Sequence, residues 1–195
     1  MAARRIVVLQ GHPDPDGQHF CHALADAYVG AAQAAGHEVR VIDVAQLDFP
    51  LLRTKADWET QPVPPGLTAA NADVAWADHL VILFPLWLGT MPALLKGFFE
   101  QVLRIPVFSG DDPAKKALAK PLRGKSVRIV VTMGMPALIF RWYFRSHGLK
   151  VLERNILAFV GAGPIRSSVV GLVEGSARSR ERWLARMADL GGAVR

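Results

Sequence analysis

The chain has 195 residues, of which 51% are hydrophobic, 21% charged and 8% aromatic. That apolar content can bury a sizeable core in one domain over 1–195, and it excludes disorder, collagen-like repeats and a disulfide-stapled miniprotein. The single cysteine, Cys21, suits a reducing compartment, and the net charge of +6 is spread along the chain rather than gathered into a nucleic-acid-binding run. Residues 5–10, Arg-Ile-Val-Val-Leu-Gln, read as a strand buried on both faces and ending at Gly11. Residues 20–35 follow as a helix, with Phe20, Leu24, Ala27, Tyr28 and Ala31 at helical spacing and Gly36 as the stop. A second strand is expected over 38–44. Residues 51–67 carry Pro62, Pro64, Pro65 and Gly66, a long loop or lid. A helix over 69–77 leads to a third strand over 79–84. Residues 85–92 break the pattern, and 93–103 resume it as a very apolar helix. Residues 109–125, rich in Lys, Asp and Pro, read as an exposed excursion. The fourth strand is expected over 126–132, then a turn at Gly134, Met135 and Pro136 and a helix over about 138–147. Residues 155–160 read as the fifth strand. A closing helix over 176–190 turns Trp183, Leu184 and Met187 inward.

Five strands separated by helices imply an α/β fold, a parallel sheet with helices on both faces. Its common five-stranded order is 2-1-3-4-5, and ligands of such sheets sit beyond the C-terminal strand ends at the switch point. Here those ends are the turns at 11–21, 85–92 and 132–136. The run after Arg5 is too short for a signal peptide, and the apolar stretch 156–173 is interrupted by Gly161, Gly163, Pro164 and Arg166. A cytoplasmic protein without membrane insertion or nucleic-acid partner is expected, its diffuse positive field suited to small anions.

The first turn, Gly11-His-Pro-Asp-Pro-Asp-Gly-Gln-His-Phe-Cys-His22, runs into a helix N-terminus, where backbone N–H groups and the helix dipole favour an anion. His12, Gln18 and His19 add side-chain donors. An ordinary capped turn fits this loop equally well. It lacks both Gly-x-Gly-x-x-Gly and the Walker lysine. His12, Asp14, Asp16, His19 and His22 are also potential metal ligands, and the loop resembles the His-Pro-Asp-Asp-Glu motif of zinc-dependent sugar deacetylases. Pro15 and Asp16 stand where that motif has its second Asp and its Glu, and no His-x-x-His follows, so the anion reading is preferred and no metal is expected. In the second turn, Leu86, Trp87, Leu88 and Met91 are large and apolar between Pro85, Gly89 and Pro92. Such a loop either packs the core or lies against a flat aromatic ligand.

The segment Pro85-Leu-Trp-Leu-Gly-Thr-Met-Pro-Ala-Leu-Leu-Lys-Gly-Phe-Phe-Glu100 resembles the corresponding block of the flavodoxin-like NAD(P)H:quinone oxidoreductases, a family that includes quinone reductases, modulators of drug activity and potassium-efflux ancillary proteins. The opening strand with its His-Pro loop and the Thr-x-Gly turn after the fourth strand match as well. The resemblance implies a flavodoxin-like sheet, a bound FMN or FAD, NAD(P)H as electron donor, and hydride transfer through flavin N5 to a quinone or similar acceptor. It assigns His12 and Phe20 to the flavin phosphate loop, with Gln18, His19 and Cys21 beside them. Pro85, Leu86, Trp87, Leu88 and Gly89 would line the isoalloxazine, and Thr132, Met133 and Gly134 its other edge. His19 stands where the family commonly has Ser. Phe140 stands nearest the family's tyrosine, leaving Tyr143 and His147, four residues apart on one expected helical face, as substitutes for a proton relay. Cys21 reads as structural. Leu95, Phe98, Phe99 and Val102 fit either a core or the interface of a homodimer, which the resemblance implies. The alternatives are a flavin-binding regulatory subunit of a membrane transporter and a metal-dependent hydrolase.

Overall fold

Short runs of Val, Ile and Leu bounded by glycine, proline and polar residues favour strands that are covered on both sides. In the computed structural model, which describes residues 2–104 and 120–194, such runs form the middle of a five-stranded parallel sheet. Its strands are β1 (Arg5–Gln10), β2 (Glu38–Asp43), β3 (His79–Pro85), β4 (Ser126–Thr132) and β5 (Ile165–Val170). They lie in the expected order β2-β1-β3-β4-β5. The register sets Val8 beside Val41 on one side and Val81 on the other, and Ile82 beside Ile129.

The α-helices of the described residues are α1 (Phe20–Ala34), α2 (Lys55–Thr60), α3 (Thr68–Trp76), α4 (Ala93–Val102), α5 (Ala137–Trp142), α6 (His147–Lys150) and α7 (Ala177–Ala193). Alternation along the strands divides the core in two. Val7, Leu9, Ile82, Phe84, Ile129 and Val131 meet α3 and α4 through Val74, Leu95, Phe98, Phe99 and Val102. Ile6, Val8, Val81, Leu83 and Val130 meet α1 and α7 through Leu24, Tyr28 and Met187, with Trp183 and Leu184 packed alongside. Gly191 lets α7 settle on α1, since a Cβ there would strike the Tyr28 carbonyl.

The fifth strand is not at 155–160. Those residues fall in and just after a π-helical stretch, Val151–Ala158, that continues α6 and buries Leu152 and Leu157. A short apolar run does not distinguish a buried strand from a helix, whereas β5 carries Arg166, Ser167 and Ser168 and looks too polar for a parallel strand. It is an edge strand paired only with β4, and its first half is exposed. The expected loop at 51–67 contains α2, started by a capping box between Thr54 and Asp57. Arg104, fully buried, stitches this segment to α4 by donating to the carbonyls of Asp57, Gln61, Pro62 and Gln101. The excursion expected at 109–125 lies mostly outside the described residues; 120–123 form a turn in which Leu122 is buried.

Leu95, Phe98, Phe99 and Val102 are core residues, none more than 6% exposed. Phe98→Ala should therefore lower unfolding free energy by about 3–5 kcal/mol without changing the association state. Urea titration and sedimentation velocity on the same variant check both halves of that expectation.

Candidate functional site

Parallel strands deliver their following turns to one edge of the sheet, and three of these turns meet beyond β1, β3 and β4. Between them lies a cleft of about 390 Å³. The β1 turn places His12, Gln18, His19, Phe20 and Cys21 on its wall, the β3 turn Pro85, Leu86 and Trp87, and the β4 turn Thr132, Met133 and Gly134. Main-chain bonds fasten these turns to the strands and to each other. The Gly11 N–H donates to the Leu83 carbonyl at 2.7 Å, Leu86 to Thr132 at 2.7 Å, and Met133 to Val170 at 2.9 Å.

The first turn is organised around Gln10, whose buried side-chain oxygen accepts from the His12 N–H at 3.1 Å and from Cys21 Sγ at 3.4 Å. The His12 Nδ1 accepts the Asp14 N–H at 3.2 Å, so in the neutral ring the proton sits on Nε2. His19 stacks on His12 with centroids 3.9 Å apart and holds Asp14 through Nε2 at 2.6 Å. His19 is also the N-cap of α1, yet its side chain caps nothing, and the first turn of the helix holds no acidic residue. The leading N–H groups of a 15-residue helix therefore open toward the cleft wall with no side-chain acceptor from the cap. Burial, and then the neighbouring imidazoles of His19 and His22, push the His12 ring down to about 4. Asp14 is held below the usual carboxylate range by the Asp16 N–H and by His19. Among the described residues, no set of three or more His, Cys, Asp or Glu side chains is arranged to hold a metal ion.

The second turn is a tight hairpin. Trp87 and Thr90 exchange both main-chain hydrogen bonds, at 2.9 and 3.0 Å, while Leu88 and Gly89 between them take positive φ of 46° and 85°. This holds Trp87 at the cleft, half exposed, with its ring edge-on to His12. Leu88 and Gly89 form the tip of the hairpin and do not line the cleft. The tip is braced from outside by Gly148, where a Cβ would collide with the Gly89 carbonyl. One end of the cleft thus gathers imidazoles and uncapped helix N–H groups, and the other is a flat, largely apolar wall.

The sequence pattern of a family described as having a flavodoxin-like fold matches residues 4–190. The chain belongs to that family. Over 187 residues, 85% of each chain, this flavodoxin-like protein is 30% identical to an FMN-dependent NADH:quinone oxidoreductase of Nitratidesulfovibrio vulgaris. It is 28% identical to the NAD(P)H dehydrogenase [quinone] 1 of Rattus norvegicus, matching 53% of this chain and 44% of that one. Its fold is similar to that of an NAD(P)H:quinone oxidoreductase from Methanothermobacter marburgensis, with a TM-score of 0.79 and 20% identity over 99% of this chain and 96% of the other.

Besides Leu88 and Gly89, two further expected residues fall elsewhere. Tyr143 and His147 do not share a helical face, because α5 ends at Trp142 and Arg145 and Ser146 take positive φ of 50° and 52° before α6 begins. Neither lines the cleft, and Tyr143 is 80% exposed. Conversely, Val173 and Glu174 do line it. They follow β5, and the polar start of that strand hid from periodicity the fact that a fourth turn reaches this edge.

Cys21 touches the cleft but is 2% exposed, and burial pushes its thiol up to about 12. It should stay protonated and resist alkylation at neutral pH in the native flavodoxin-like protein, reacting fully only in denaturant. Mass spectrometry after iodoacetamide treatment in both conditions checks this.

Proposed function

We propose that the protein is an FMN-dependent NAD(P)H oxidoreductase acting on quinones or similar acceptors. The observation that carries this reading is the two-ended cleft, with an uncapped helix N-terminus and histidines at one end and Trp87 with Pro85, Leu86 and Met133 at the other. The donor set fits a flavin mononucleotide. His12 and the leading N–H groups of α1 would hold its phosphate, and Gln18 and His19 stand beside them. The isoalloxazine would lie against Trp87, between the β3 turn and the Thr132–Gly134 backbone. Gly11 lets the first turn leave β1 close against the core, since a Cβ there would come within 2.7 Å of Leu95 and 2.9 Å of the Leu83 carbonyl.

A bound flavin would supply the redox chemistry, relaying a hydride from NAD(P)H to a quinone, which one further proton from solvent would complete to the hydroquinone. The chain's own part is binding, orientation and field. The hairpin at 87–90 fixes the wall against which the ring and the incoming partner stack, and the β4 turn offers backbone groups to the far edge. Tyr143 and His147 are assigned no proton transfer within the subunit. Nicotinamide and quinone would use the same open face of the cleft in turn, which requires a two-step exchange.

The protein should purify yellow or take up FMN stoichiometrically. Steady-state rates with NADH, NADPH and a panel of quinones should give the parallel double-reciprocal lines of a ping-pong mechanism. Flavin that binds but is reduced by neither nicotinamide would instead favour a regulatory role, and failure to bind flavin would overturn the reading.

A homodimer belongs to the same proposal, through a surface different from α4. Leu138, Ile139, Trp142, Tyr143 and Phe144 are all exposed around α5, Trp142 by 79%. Gly171 packs against Ala137, which brings exposed Leu172 alongside, and Gly148 packs against the hairpin whose tip carries Leu88. An apolar face of this extent is uncommon on a monomer, and a twofold partner is the simplest cover. The pair Trp142→Ser and Phe144→Ser should convert the dimer to monomer in sedimentation velocity, with the far-ultraviolet circular dichroism unchanged. A wild-type protein that sediments as a monomer at all concentrations would refute it.

A further inference from the structure

The edge of the sheet opposite the cleft has a cavity of its own, of about 340 Å³, which is room enough for a small molecule. Arg4, His79, Ser126, Gly163, Arg166 and Val194 stand on its wall. They come from the starts of β1, β3, β4 and β5 and from the end of α7, gathered by the parallel sheet as the turns are at its other edge. β3 runs from His79 here to Pro85 in the cleft, about 20 Å at roughly 3.3 Å per residue. The two cavities are therefore separate, and a ligand here is independent of any flavin there.

This wall is made for negative charge. The register sets His79 beside Ser126 and Arg128 beside Arg166, all on the sheet face that α1 and α7 cover. That face is apolar along its middle and cationic at this end. Arg128 is buried and donates to Ser168 Oγ at 3.3 Å. The Arg4 and Arg166 side chains are exposed, and among the described residues neither guanidinium makes an ion pair or a hydrogen bond. Asp78, next to His79 in the chain, is taken by Arg5, whose main-chain N–H and guanidinium both donate to it. Among the described residues, no Asp or Glu lies on the wall. Burial, and then the charges of Arg4, Arg128 and Arg166, push the His79 ring down to about 4, so the guanidiniums converge on this point rather than spreading into solvent. Like charges focused into a concave surface raise the local concentration of anions.

His79, 2% exposed, adds direction. Its Nδ1 lies 2.7 Å from Ser126 Oγ. When Nδ1 carries the proton of the neutral ring it donates to Oγ, which leaves the Ser126 O–H to donate to a ligand.

We propose that this cavity is a second ligand site, for a phosphate group, free or carried on a small metabolite, which Arg4 and Arg166 hold and the Ser126 hydroxyl orients. Two guanidiniums and a hydroxyl approach from β1, β5 and β4. A tetrahedral dianion accepts from three directions at once, whereas a flat carboxylate carries one charge on two oxygens.

Titration of the protein with inorganic phosphate at constant ionic strength, followed by amide NMR, reads the two edges of the sheet separately. The amides of Ser126, Gly163 and Arg166 should shift and saturate with a Kd of about 1 mM or below, the scale that two charge-assisted hydrogen bonds support. Shifts at Phe20 and Cys21 report the cleft and form a separate curve. Arg4→Gln and Arg166→Gln should each weaken binding at the cavity roughly tenfold or more. Arg53→Gln removes an equal charge from the segment before α2 and should leave it unchanged. Acetate should not compete. Tighter binding of glycerol phosphate than of inorganic phosphate assigns the cavity to a phosphoester, and the reverse order to free phosphate. No saturable shift at Ser126, Gly163 and Arg166 in the wild-type protein would overturn the site, and this outcome needs no variant to fold. An equal loss in Arg53→Gln, or acetate binding as tightly as phosphate, would reduce the effect to the diffuse field of a basic protein and overturn it as well.

Discussion

The central strands β1, β3 and β4 are covered on both faces, and the rest of the molecule follows from that burial. A strand in this position has no room for reactive side chains along its middle, because each residue points into one of two apolar layers. The exceptions lie toward the strand starts, where His79 bonds to Ser126 and Arg128 to Ser168. Chemistry is therefore pushed to the strand ends. Since the strands are parallel, the ends of β1, β3 and β4 bring their turns to one side of the molecule, and the cleft forms there.

Rigidity at that edge comes mostly from the backbone. The Gly11, Leu86 and Met133 amides each bond to a neighbouring strand or turn, so the cleft wall is an extension of the sheet. The Trp87–Thr90 hairpin and Gly148 extend the same logic outward, because a tight turn with two positive-φ residues has little freedom and a helix backed against its tip leaves it less. A ligand wall built this way is organised before the ligand arrives, which suits a protein whose proposed task is to hold a ring in place while partners come and go.

Opposite that wall, the His12, His19 and His22 loop is organised by electrostatics. Its imidazoles are held together by Gln10, by Asp14 and by the start of α1, and burial keeps the His12 ring neutral. A fully satisfied loop of the same shape would have little attraction for an anion. The leading N–H groups of α1, without a side-chain cap, leave this one open to an anion.

Much of this was legible in the amino-acid sequence. Apolar runs with β-branched residues determined β1, β3 and β4, and the helix spacing after Phe20 determined α1. The alternation of the two, with right-handed crossovers, left the order 2-1-3-4-5 as the natural topology, and that order dictated which turns would meet. Residues adjacent in a turn, such as His12 with His19 and Pro85 with Trp87, were therefore readable as neighbours in space. The fifth strand was not, because an edge strand with Arg166 and Ser167 owes its place to pairing with β4, and pairing leaves no mark on composition. Nor was the separation of Tyr143 from His147, which depends on the two left-handed residues Arg145 and Ser146. Leu95, Phe98 and Phe99 could have faced a partner or the sheet, and only the tertiary structure decided for the sheet, leaving the α5 face bare instead. Periodicity records which residues avoid water, but the choice of what covers them belongs to contacts made far along the chain.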